Sequence, residues 1–257
     1  MRSFIASCFA SMLAAGVVAA PKTCEVNVNV SVTEAGRKVT PPTKAKPVFY
    51  VPLLAGWREE GPVEAGEKAP RREALVKPLA RALARQGYLV MGPGTPAPTL
   101  LLVFHWGALN VDEDETEDED GEPQKQVRNQ AQMLALVGGN TFGALDLNFE
   151  RDAVMQAAEE DRYFVLVSAF DYADAVKKKK TLLWRARIST PSRGVVMTDV
   201  VQALVDSGAP YFGRETKRPV WAEAPVREGR VEFGEVIEVP EKAPPSTALP
   251  AATGAKK

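Results

Sequence analysis

Residues 99–110 read TLLLVFHWGALN. The run is apolar at nearly every position and shows no alternation, the pattern of a strand buried on both faces. It is too short to span a bilayer as a helix, which takes roughly 20 residues. The core is therefore expected to centre here. Directly behind it, residues 112–122 (DEDETEDEDGE) place nine carboxylates in eleven positions. Removing those nine leaves 33 − 9 = 24 acids against 32 bases, so the rest of the chain carries +8 while the whole stands at −1. A mildly basic body bears one intensely acidic segment, which is expected to be a solvated, disordered insertion.

Upstream of 99, EVNVNVSV alternates Val26, Val28, Val30 and Val32 with polar residues, the period of a half-buried strand. A basic, proline-containing connector leads to a second strand, PVFYVPLLAGW. REALVKPLARALARQG then predicts a helix with Leu75, Leu79 and Leu83 on one stripe and Gly87 as its stop. Pro78 either kinks this helix or marks its first turn. YLVM follows as a strand. Downstream of the acidic run, PQKQVRNQAQMLALVGG reads as a helix entered near Pro123, and FERDAVMQAAEEDR as another, capped by Asn148. YFVLVSAFDYADAV and TLLWRARIS form a hairpin around Lys177–Lys180. GVVMTDVVQALVDSG is a last helix burying Val196, Val200 and Leu204, and GRVEFGEVIEV adds a short strand. This order implies an α/β (α+β) fold: a single mixed β-sheet with helices packed mainly on one face. The expected organisation is a signal peptide over 1–19, an N-terminal strand and linker over 20–46, the α/β domain over 47–239 and a disordered tail over 240–257.

Arg2 followed by FIASCFASMLAAGVV, with small residues before Pro21, has the form of an export signal cut after Ala19. The expected location is the periplasm or the exterior. About 15 apolar residues are short for a membrane anchor, and no later segment is long and apolar enough to span. Only four apolar-segment residues precede Cys8, so it is a poor lipidation site. Cys24 is then the sole thiol of the mature chain, which excludes a disulfide framework and a multi-thiolate zinc site. It is expected to be an unpaired strand thiol.

The acidic run does not fit a helix–loop–helix calcium site. With Gly121 at the sixth position, Thr116 falls at the first and Val127 at the twelfth. Weak cation binding, a basic partner, or internal screening of the basic body near Arg185 and Arg187 are its other uses. His105 is the only histidine, and no G-x-S-x-G elbow accompanies it. One imidazole also falls short of the two or three that catalytic zinc takes. It is expected to pack near a strand end with its ring nitrogens hydrogen-bonded. Asp171 or Asp174 could join it in a hydrolase of unfamiliar type, although alternation turns the two aspartates to opposite faces. The Lys177–Lys180 turn reads as solvated, with an anionic surface as its one ligand class. VGGNTFG (137–143) lacks a phosphate-loop ending and caps a helix. No cofactor or metal is implied, and sparse aromatics with predicted export argue against nucleic acid. The candidate binding residues are Arg185 and Arg187 on an exposed strand face, with His105 and Trp106 in the long strand.

The succession LARALARQGYLVM, TLLLVFHWG and TLLWRARIST followed by a helix resembles uncharacterised α/β domains of bacterial envelope proteins, many of them lipoproteins, over Val48 to Gly208. The chain departs from them in lacking a usable lipidation cysteine, in having Thr99 where an Asp commonly opens the strand, and in its acidic insertion. The resemblance implies an envelope location and a non-enzymatic binding or assembly role, with another envelope protein as a candidate partner, and carries over no catalytic residues.

Overall fold

The apolar stretch becomes β4 (Leu100–Leu109), which runs parallel to β2 (Val48–Glu60) on one side and antiparallel to β7 (Arg162–Asp171) on the other. This computed structural model describes residues 22–62, 69–117, 123–143 and 148–226. The signal segment, the expected strand after 228 and the tail lie outside the described residues. In chain order the other elements are β1 (Thr23–Val32), α1 (Glu34–Arg37), α2 (Arg72–Arg85), β3 (Tyr88–Val90), β5 (Glu113–Glu117), β6 (Pro123–Val127), α3 (Gln130–Val137), α4 (Phe149–Ala157), α5 (Tyr172–Val176), β8 (Leu182–Pro191), α6 (Met197–Gly208) and β9 (Val220–Pro225). Seven strands form one mixed sheet in the order β3-β2-β4-β7-β8-β1-β9. The α/β architecture is as expected, and β1 is an interior strand, paired with both β8 and β9.

Successive side chains of a strand point to opposite faces, and the sheet is buried on both. One face carries Leu102, Phe104 and Trp106 of β4, Val165 and Val167 of β7, and Val26, Val28 and Val30 of β1. The two long helices cover it: α2 through Leu75, Leu79 and Leu83, α6 through Val200 and Leu204. On the other face α3 and α4 bury Met133, Leu136, Val137 and Val154 against Leu109 and Phe164, a second and smaller core. Pro78 lies inside α2, past its first turn, and Gly87 follows the helix with φ 88°. A Cβ there would stand 2.4 Å from the Thr43 carbonyl oxygen, so both conformation and space demand glycine.

Three local expectations change, the briefest being that Tyr172–Val176 is the helix α5 and not the end of the hairpin strand. Residues 123–127 are strand rather than helix, and pair with Glu113–Glu117 in a two-stranded ribbon. The start of the acidic run is thus ordered rather than an unpaired insertion, and α3 begins only at Gln130. PQKQV has no apolar stripe to bury as a helix. The ribbon's base is instead tied by Asn129, whose Oδ1 accepts from Asp112 N at 3.1 Å and whose Nδ2 donates to Asn110 O at 2.7 Å. Arg128 pairs with Asp114 across the same base. Val196, expected in the α6 stripe, is 53% exposed. It precedes the helix in extended conformation (φ −118°, ψ 151°), off the helical periodicity, and Met197 is buried in its stead.

At the sheet margin, β3 accompanies β2 only from Val48 to Tyr50. From Val51 to Glu60 the outer side of β2 has no strand partner among the described residues. The pairing of β2 with β4 shifts register between Leu54 and Gly56, a one-residue bulge at Ala55.

Candidate functional site

Cross-sheet register decides what meets on the second face. His105 lies level with Leu166, Leu166 with Arg187, and Arg187 with Asn29. One step along, Arg185 stands level with Ser168. One step the other way, Arg58 is level with Gly107 and Phe164. With strands about 4.8 Å apart and about 3.4 Å per residue, His105 and Arg187 are roughly 10 Å apart at the backbone, and Arg185 and Arg187 roughly 7 Å. These reaches suit one shared ligand. Gly107 leaves the position beside His105 without a side chain, and it must be glycine. A Cβ there would fall 1.7 Å from the Arg58 carbonyl oxygen.

Between this face and α3 lies an open cleft of about 290 Å³. Arg58, His105, Arg185, Arg187 and Glu60 are its polar lining, with Gln132 at the α3 rim. Leu109, Phe164 and Leu166 of the same sheet face and Leu136 of α3 are its apolar lining. Three guanidiniums against one carboxylate leave +2, before the histidine is counted. Arg58 approaches Glu60 at 3.9 Å. Arg185 Nε donates to Ser168 Oγ at 3.0 Å and Arg187 Nη1 to Ser31 Oγ at 3.4 Å. Neither of these two half-buried arginines pairs with a carboxylate among the described residues. Burial first, and then the Arg185 charge, push Arg187 below the usual arginine value. Burial, then Arg58, then Arg185 likewise lower the His105 pKa, so the imidazole is neutral at pH 7.

Of the residues singled out from the sequence, His105, Arg185 and Arg187 share this cleft. Trp106 does not. It points to the opposite face and is buried in the main core at 4% exposure, because strand alternation sends neighbours apart. His105 was expected to have hydrogen-bonded nitrogens near a strand end. It stands in mid-strand, and its buried Nδ1 makes no hydrogen bond among the described residues.

The aspartates offered as its partners are elsewhere. Asp171 is level with Leu100, five residues from the level of His105, or about 17 Å along the strand. Its carboxylate caps α5 by accepting from Asp174 N at 2.8 Å. Asp174 accepts from Thr181 Oγ1 at 2.5 Å and pairs with Lys179 at 3.0 Å. Both carboxylates are engaged in shaping the β7–β8 connection. Cys24 is a free, buried thiol on β1, its pKa raised by that burial.

No family model and no curated protein matches this chain. Solved structures give distant likenesses. A PDZ domain protein from Parabacteroides distasonis matches with TM-score 0.40 at 11% identity, over 79% of this chain and 39% of that one. The PelC dodecamer from Paraburkholderia phytofirmans matches with TM-score 0.32 at 10% identity, over 74% of this chain and 99% of that one. This chain therefore spans about two fifths of the PDZ domain protein. Among the described residues no helix is long and apolar enough to cross a membrane.

Arg58 and Gln132 belong to the cleft and were not evident from the sequence. Before the bulge, Tyr50 and Leu54 share the main-core face with Leu100 and Phe104; after it, Trp57 takes that face and Arg58 turns to the cleft. A lone Gly in AGWREE is the only signal of that reversal. Gln132 becomes a lining residue only once α3 is placed over the sheet.

Proposed function

We propose that this is an exported protein of the bacterial envelope, periplasmic or secreted, that acts by binding, as an assembly or adaptor module, through the cleft under α3. The observation that carries the reading is the gathering of Arg58, Arg185, Arg187 and His105 on one sheet face, with Arg185 and Arg187 lacking carboxylate partners among the described residues. Half-buried cations without counter-charges cost stability, and a ligand or partner of opposite charge offsets that cost on binding. The signal-like residues 1–19 support the location.

A photoreactive side chain at Gln132 tests the site. In cells, it is expected to give an envelope adduct that R185Q and R187Q each diminish, while the same probe at Lys178 in the hairpin gives none. Equal labelling at both positions, or none at Gln132, overturns the reading. Fractionation tests the location: removal of residues 1–19 is expected to hold the chain in the cytoplasm.

A further inference from the structure

The cleft is lined by two kinds of group, and they ask for different things. Arg185 and Arg187 project from adjacent same-face positions of β8, with His105 two strands away in the Arg187 row. Two neighbouring guanidiniums, each with donors beyond the one given to Ser168 or Ser31, offer charged N–H groups to the oxygens of a carboxylate or phosphate. A neutral His105 can donate to the same head group without adding to the repulsion between the arginines. On the same sheet face Phe164 and Leu166 of β7 supply apolar surface, Leu166 lying between His105 and Arg187, and Leu136 of α3 adds to it from across the cleft. A bare inorganic anion would leave that surface wet. A neutral apolar molecule would strip water from the arginines and return no charge. Only a molecule with both parts satisfies both. The volume, about 290 Å³, is at the lower end of ligand cavities, which run from about 300 Å³ upward, so the body is short.

We propose that the cleft is a binding site for a small amphipathic anion, its carboxylate or phosphate head held by Arg185 and Arg187 and its apolar body laid against Leu136, Phe164 and Leu166. This rests on the binding-module reading and names its ligand class. A free acid and an envelope lipid share this head-group chemistry.

Titration calorimetry on the full chain with decanoate and octyl phosphate, below their micelle concentrations, tests the proposal. Inorganic phosphate and decanol serve as half-ligands. Saturable binding of both amphiphiles is expected, with each half-ligand weaker by about tenfold or more, the scale of one charge-assisted contact or a few buried methylenes. R187Q and R185Q should each weaken the amphiphiles about tenfold, and R193Q, outside the cleft, should leave them unchanged. If an arginine variant fails to fold, A135E on the cleft side of α3 supplies a tethered carboxylate that competes, and is expected to abolish binding. Cosedimentation with phosphatidylglycerol vesicles that R187Q removes assigns a lipid source; its absence alongside free-amphiphile binding assigns a soluble one. No saturable binding of either amphiphile, equal binding of inorganic phosphate, or indifference to both R187Q and A135E overturns the proposal. Crosslinking from Gln132 that persists after such a failure leaves the binding-module reading in place and removes the ligand class alone.

Discussion

Gly107 shows how much of this molecule turns on one absent side chain. It lets β2 and β4 run close enough to pair while keeping a gap beside His105. Gly107→Ala is expected to force the two strands apart and to cost about 1–3 kcal/mol, the range of overpacked interiors, read as a lower urea midpoint at unchanged slope. Burial pushes the Tyr50 phenol up from 10.0 to about 12, and raises Tyr88 further for the same reason, with Arg214 pulling slightly back. A raised folded-state pKa means stability that is present below the unfolded value and lost above it. Tyr50 therefore contributes a loss that runs from about pH 10 to about pH 12. Arg162, fully buried and lowered to about 10, works in the opposite direction over the same window. Two phenols outweigh one guanidinium, so stability should fall on the alkaline side. Tyr50→Phe is expected to flatten that limb in denaturation curves measured from pH 9 to 11.5, with little change at pH 7.

Most elements were legible because their periodicity is strong. Leu75, Leu79 and Leu83 specify α2, the valines of β1 alternate, and Asn148 caps α4 by accepting from Arg151 N at 2.9 Å. What was not legible was set by contacts distant in sequence. PQKQV is a strand because β5 and the Asn129 bridges hold it, and no local propensity announces that. The cleft was half visible: the Arg185–Arg187 alternation and His105 stand out in the text, whereas Arg58 reaches them only through the bulge at Ala55. That bulge exchanges the faces of everything after it in β2. Inserting one alanine between Gly56 and Trp57, so that pairing continues evenly from Gly56, is expected to shift the register by one, turn Arg58 into the main core and expose Trp57. The cost of burying an unpaired cation is about 3 kcal/mol or more, observable as a lowered thermal midpoint together with a red-shifted tryptophan emission.

At the scale of the whole molecule, one sheet serves two cores of unequal size, and the site lies where the smaller core stops short of covering its face. The long helices secure the main face, so the opposite face is free to hold charge. The sheet also ends asymmetrically. Tyr50 O accepts from Met91 N on the outer side and Phe49 O from Thr99 N on the inner side, so Pro52, two residues past Tyr50, turns its hydrogen-free nitrogen outward. Beyond it come the bulge and then Arg58, Glu59 and Glu60. Each of these makes the margin a poor template for a further strand. In a crowded compartment, that margin sets whether molecules stay apart: Pro52→Val paired with Glu59→Val should restore the missing donor and remove one charge from the row. The doubly substituted chain is expected to scatter light increasingly with concentration and to bind thioflavin, while the parent solution stays clear. One imino acid and one carboxylate would then be brakes on runaway edge-to-edge growth.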